Sequence, residues 1–179
     1  MVDRTRTLVV MRHAKAEPAG PSDAERALAP QGHGDAEAAG RWLRDRGLGP
    51  DAALVSAARR TRETWERVAG AAGWALEPTL DEGLYAADAE TALDLVRLLD
   101  DEVGTALVIG HNPTVHSLVS SLDDGEGDAD AGHEMLLGLF PTSATAVLTF
   151  TGSWGDLAVG RASLVGYHVG RQDGLPEGR

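Results

Sequence analysis

Three places in this chain set a fixed cation or an imidazole at the end of an apolar run. Arg12-His13 follows Leu8-Val9-Val10-Met11, Arg59-Arg60 come just after Leu54-Val55-Ser56, and His111 follows Ala106-Leu107-Val108-Ile109-Gly110. One Arg-His pair after a strand reads as a solvated turn; its repetition at three strand ends argues for a site. If the three runs are neighbouring strands, two arginines and two histidines converge on one crevice. Guanidinium forks fit phosphoryl oxygens bidentately and stay charged at any working pH. Histidine is one of the few side chains that accepts a phosphoryl group near neutrality. One neutral imidazole then attacks phosphorus, the second donates a hydrogen bond to a phosphoryl oxygen, and the arginines hold the charge. A two-histidine metal site is the competing chemistry, but Asp and Glu ligands at suitable spacing are not found near either histidine, so no cofactor is expected.

Positioning such a site calls for strands that end at the same edge. Residues 7–12 read as a first strand, short, Val-rich and apolar on both faces, which is the pattern of a central parallel strand. Open α/β sheets take their ligands at the carboxyl ends of such strands. A helix is expected from Asp35 to Arg46, stopped by Gly47 and Gly49, then a strand from Asp51 to Val55 and a helix from about Ala57 to Ala72. Ala75 to Glu77 reads as a short edge strand, Thr79 to Ala87 as a loop, Ala89 to Asp100 as a helix and Ala106 to Ile109 as a third strand. Asn112 is a suitable N-cap with Pro113 at the first helical position. The acidic, Gly-rich stretch from Asp123 to Glu134 lacks the central Gly and terminal Glu of a calcium loop and reads as solvated loop. Two late strands, Ala144 to Phe150 and Leu157 to Val169, complete the pattern. Strand–helix alternation over the first 120 or so residues argues for one α/β domain, residues 1–170, with helices on both faces of a mostly parallel sheet. Residues 171–179 are expected to be a flexible tail.

Composition limits the partners. Sixteen basic against twenty-eight acidic residues give a net charge of −12, which argues against nucleic acid or an anionic membrane surface. An anionic small substrate then needs a local cluster of Arg and Lys. With no cysteine, thiol catalysis, disulfides and Cys-zinc sites are ruled out. No apolar run is long enough for a membrane span and Met1-Val2-Asp3-Arg4 lacks a signal-peptide core, so the expected location is the cytoplasm.

Taken together, these residues resemble known motifs. Arg12-His13 resembles the Arg-His-Gly motif of the histidine phosphatase superfamily, also called phosphoglycerate-mutase-like. Ser56-Ala57-Ala58-Arg59-Arg60-Thr61-Arg62-Glu63-Thr64 is similar to its Ser-Pro-x-x-Arg-x-x-Gln-Thr, which aligns the family arginine with Arg60, and Gly110-His111-Asn112-Pro113 is similar to its second histidine motif. Asp23-x-x-Arg26-x-Leu28-x-x-x-Gly32 resembles a stretch of the short bacterial phosphohistidine phosphatases of the SixA type.

The resemblance implies a three-layer α/β sandwich and a covalent mechanism without a metal. His13 would be the nucleophile, and Arg12, Arg60 and His111 would bind the phosphoryl group. Glu82 sits where larger relatives carry a proton-donating carboxylate, and Arg26 and Lys15 would widen the positive pocket. The expected substrate is phosphohistidine on a partner protein. The alternatives are a phosphatase of small phosphoesters (sugar phosphates or nucleotides) and a non-catalytic phosphate-binding module, which would have no need of the nucleophile. Ala14 for Gly is expected to tighten the phosphate loop, Ala57 stands for Pro, and Glu63 for Gln is expected to place a negative charge near Arg60.

Overall fold

The computed structural model describes residues 4–173. The strands are β1 (Thr5–Arg12), β2 (Ala52–Ser56), β3 (Thr79–Asp81), β4 (Thr105–Gly110), β5 (Ala144–Thr151) and β6 (Ser163–Val169). The helices are α1 (Pro30–Asp45), α2 (Arg59–Ala72), α3 (Glu82–Tyr85), α4 (Ala89–Arg97), α5 (Thr114–Leu122) and α6 (Ala129–Gly138). They build one six-stranded sheet in the order β3-β2-β4-β1-β5-β6. β3, β2, β4 and β1 are parallel, whereas β5 pairs antiparallel with both β1 and β6. Only β5 therefore runs against the rest, and the sheet is mostly parallel as expected.

Successive side chains of the central strands bury into opposite layers. Leu8 and Val10 of β1, with Ala106 and Val108 of β4, pack with α4, α5 and the Phe140–Trp154 region. Val9, Met11, Leu107 and Ile109 pack instead on Ala36, Ala39 and Leu43 of α1 and on Trp65 and Val68 of α2. Two full layers of helix over one sheet explain why β1 and β4 are apolar on both faces. Among the described residues no helix is long and apolar enough to cross a membrane.

Several boundaries differ from the sequence reading. The edge strand lies at Thr79–Asp81, not at residues 75–77, and the remainder of the expected 79–87 loop contains α3. Pairing with β2 selects that segment, since Leu54, Val55 and Ser56 face Thr79, Leu80 and Asp81. The acidic stretch is loop only in its first half. Asp128 caps α6 by accepting from the Ala131 N–H at 2.8 Å, and Ala131 and Met135 are its buried contacts. Asn112 does not cap α5: the Asn112–Pro113 bond is cis and the helix begins at Thr114. The last strand starts at Ser163 rather than Leu157, because residues 157–162 form a turn tied to the end of α5, with the Gly160 N–H donating to the Ser121 carbonyl and the Ala162 N–H to the Leu122 carbonyl, both at 2.9 Å. Within the expected tail, Arg171 donates to the Thr142 carbonyl at 2.9 Å and the Gln172 N–H to the buried Asp35 carboxylate at 2.9 Å. Residues 174–179 of that tail lie outside the described residues.

Candidate active site

The carboxyl ends of β1, β2, β3 and β4 meet along one edge of the sheet. Arg12 pairs in register with Gly110, and the His13 N–H continues the ladder to the Gly110 carbonyl at 3.0 Å. His111 follows directly on the neighbouring strand, so the two imidazoles approach to 5.3 Å between ring centroids, tilted by 56°. Ser56 ends β2 on the other side of β4, and α2 then carries Arg60 back over the strand ends.

The hydrogen bonds assign a tautomer to each ring. His13 Nδ1 lies 2.7 Å from the Ala14 carbonyl oxygen, which only accepts, so Nδ1 holds the proton. In the neutral ring Nε2 is then left with a free lone pair. His111 Nδ1 lies 3.3 Å from Arg60 Nη2, which only donates, and its Nε2 lies 2.7 Å from Ser56 Oγ. His111 therefore accepts from Arg60 and donates to Ser56. Both nitrogens of the neutral ring are thus engaged within the protein, so the expected donation to a phosphoryl oxygen requires a second proton on His111.

Burial is the largest cause that drives His13 from the ordinary 6.5 down to about 3, opposed by the bond to Ala14 and reinforced by the charges around it. Burial, then the neighbouring Arg60, takes His111 down to about 4. Both rings are thus neutral at physiological pH, and the nucleophile needs no base to free it. An unfolded imidazole titrates near 6.5, so below that pH the unfolded chain takes up protons that these rings refuse. Their contribution to stability is whole above 6.5 and is lost as the pH falls toward 4 and then 3. In imidazole NMR spectra the His13 and His111 resonances should hold their neutral positions from about pH 7 to about pH 5. A midpoint near 6.5 for either ring would contradict the buried, cation-flanked environment.

Arg12 and Arg60 enclose the rings. Each has a buried Nε–H with no partner in the protein, a donor open to an anion. Arg12 Nη1 points to the Phe140 carbonyl at 3.4 Å, and Asn112 Nδ2 donates to that same oxygen at 2.7 Å. Arg60 is 5% exposed. It donates through Nη1 to the Asp23 carbonyl at 2.8 Å and through Nη2 to the Asp23 carboxylate at 3.3 Å. Its neighbour Arg59 points away and pairs with Glu63 at 2.8 Å on the surface. Glu63 is thus bound on both oxygens, the other accepting the Leu28 N–H at 2.7 Å, and among the described residues it forms no ion pair with Arg60.

The loop that carries His13 is held by close packing. Buried Ala14 donates its N–H to Thr64 Oγ1 at 3.1 Å. A Cβ at Gly32 would collide with the Lys15 carbonyl, so only glycine lets α1 start this close to the nucleophile. Arg26 reaches the site indirectly, through Asp23 Oδ1 at 3.0 Å and the Glu17 carbonyl at 3.0 Å. Lys15 is exposed. Glu82 is exposed as well, at the first position of α3 beside the end of β3. Among the described residues neither side chain enters a hydrogen bond or ion pair with the cluster.

Four contributors have no role assigned to them by the sequence. Tyr85 donates its hydroxyl to the Asp23 carboxylate and sets its ring edge-on to His111 at 5.5 Å. In the sequence Ser56 stands out only as part of a motif and Asn112 only as a candidate helix cap. Phe140 contributes a backbone carbonyl from a left-handed conformation (φ 56°), for which side-chain chemistry gives no signal.

Two neutral imidazoles beside two guanidinium groups at the strand ends of a parallel sheet offer the nucleophile and the cations that phosphoryl transfer calls for. The sequence model of the histidine phosphatase superfamily (branch 1) matches residues 8–90. An uncharacterised protein of Mycobacterium tuberculosis is 41% identical over 162 residues, spanning 90% of this chain and 100% of its own. A structure assigned as the phosphohistidine phosphatase SixA of Nakamurella multipartitia is 34% identical, covers 93% of this chain and 96% of its own, and superposes with a TM-score of 0.80. A tungstate complex of the protein histidine phosphatase SixA is 25% identical, covers 91% and 96%, and has a TM-score of 0.74. The chain belongs to the histidine phosphatase superfamily and is a phosphatase-type hydrolase.

Proposed function

We propose that this protein is a metal-independent phosphatase that removes phosphoryl groups from phosphohistidine on a partner protein by way of a phosphohistidine on His13. The observation that carries the reading is the Nδ1–H bond of His13 to the Ala14 carbonyl. It leaves Nε2 as a neutral, desolvated nucleophile between Arg12 and Arg60. Nε2 attacks phosphorus, the phosphorus–nitrogen bond of the substrate breaks, and the departing imidazole takes a proton. Water then attacks the enzyme phosphohistidine, releasing phosphate and restoring His13.

The arginines neutralise the phosphoryl oxygens in both steps through N–H groups already in place. A dianion against His111 favours its protonation, which turns Nδ1 from acceptor to donor once substrate is bound. Glu82 lies at the same sheet edge as a candidate proton donor. An imidazole leaving group is basic enough to take a proton from water, so turnover does not depend on that carboxylate.

The choice of substrate is supported by the similar structures that carry the SixA name, at 34% and 25% identity. The test is kcat/KM for a phosphohistidine peptide, p-nitrophenyl phosphate and sugar phosphates in one buffer containing EDTA. The phosphohistidine peptide should be the preferred substrate, with turnover unaffected by the chelator. A sugar phosphate hydrolysed at least as efficiently would overturn the substrate assignment, and loss of activity in EDTA would overturn the metal-free mechanism.

A further inference from the structure

A guanidinium has two recognition edges, the end-on pair Nη1/Nη2 and the side-on pair Nε/Nη2. At Arg60 the end-on pair is occupied by a single residue, with Nη1 on the Asp23 carbonyl at 2.8 Å and Nη2 on its carboxylate at 3.3 Å. Nη2 spends its second hydrogen on His111 Nδ1 at 3.3 Å, which leaves Nε, buried and unpartnered, as the donor open on the side-on edge. Asp23 is itself fixed from two further directions. Tyr85 donates its hydroxyl to Oδ2, and Arg26 donates Nε to Oδ1 at 3.0 Å.

We infer that Asp23, held by Tyr85 and Arg26, is a positioning residue that clamps the end-on edge of Arg60 so that its unpartnered Nε–H faces the phosphoryl group. The inference rests on the phosphatase reading, and it assigns a purpose to a carboxylate in a phosphate site. A free acid there would repel the substrate, whereas one bound by two arginines and a phenol directs a cation. The carboxylate stays ionised because the Tyr85 hydrogen bond, the largest cause, outweighs the opposing effect of burial and, with the Arg60 charge and the Arg26 hydrogen bond, lowers it to about 2. The Asp23 side chain is 57% exposed, and ion pairs so open to water add little to stability. Its value therefore lies in aligning the plane of Arg60 rather than in holding the fold.

The test is a double-mutant cycle of wild type, Asp23→Ala, Arg60→Ala and the double variant. Two quantities are read, kcat/KM for the phosphohistidine peptide and Kd for inorganic phosphate by NMR titration. Asp23→Ala should weaken both by about tenfold when Arg60 is present and by less than about twofold when it is absent, since coupled residues are non-additive. Asp23→Asn, which keeps an acceptor oxygen for Arg60, should recover most of the loss, and the melting temperatures of wild type and Asp23→Ala should agree within a few degrees. Equal losses in both backgrounds, or no loss on Asp23→Ala, would overturn the inference. If the wild type turned over no phosphoryl substrate, the phosphatase reading would fall, and the phosphate Kd cycle would still decide the role of Asp23.

Discussion

His13→Ala loses turnover by at least about 10⁴-fold in kcat, the scale on which removal of a covalent nucleophile acts. What remains is attack by water on a phosphoryl group still held by Arg12 and Arg60. The effect falls on kcat, because those arginines reach the anion without using the His13 ring. Inorganic phosphate should therefore bind the variant within about tenfold of wild type, since the charge-assisted contacts are intact. The fold should survive: His13 lies beyond the last residue of β1, and its backbone bonds to Gly110 and Ser143 do not involve the side chain. Steady-state kinetics alongside thermal unfolding checks the result. A kcat within tenfold of wild type would remove His13 from the chemistry.

Arg60→Ala is the second large effect, expected at about 10²–10³-fold in kcat/KM. Two consequences add. The phosphoryl group loses a preorganised donor, and His111 loses both its Nδ1 donor at 3.3 Å and the cation that, after burial, does most to lower its pKa. The His111 midpoint should therefore rise from about 4 toward the ordinary 6.5, which the NMR titration detects in the same protein. Arg60→Lys should restore only a small part of the rate, since an ammonium offers no planar fork. Arg59→Ala is the internal control. Arg59 is bound to Glu63 on the surface, and its loss should leave kcat/KM nearly unchanged.

The parts of this design that were legible in sequence are those whose signal is local. β1 and β4 show as apolar runs because helices cover both faces, and the candidate site residues show because they follow those runs directly. Arg60 rather than Arg59 could be placed only by motif alignment; in the structure the start of α2 turns Arg60 inward and Arg59 out. Segments stabilised from a distance were not legible. β3 is a three-residue strand with Leu80 half exposed, defined by its pairing with β2. α6 begins inside a Gly- and Asp-rich stretch, and its inward contacts are only Ala131 and Met135, too few to give a helical period. The Phe140 carbonyl and the Tyr85–Asp23–Arg60 chain depend on residues 23, 60, 85 and 140, which only the folded chain brings together.

The covalent mechanism is tested most directly by trapping its intermediate. The wild-type enzyme is mixed with a radiolabelled phosphohistidine peptide, quenched in base within one turnover, and mapped by tandem mass spectrometry. The predicted result is phosphoryl label on His13 that survives base and is lost in acid, with none retained by His13→Ala. Label that survives acid, or label carried by Ser56 or a carboxylate instead, would contradict the account.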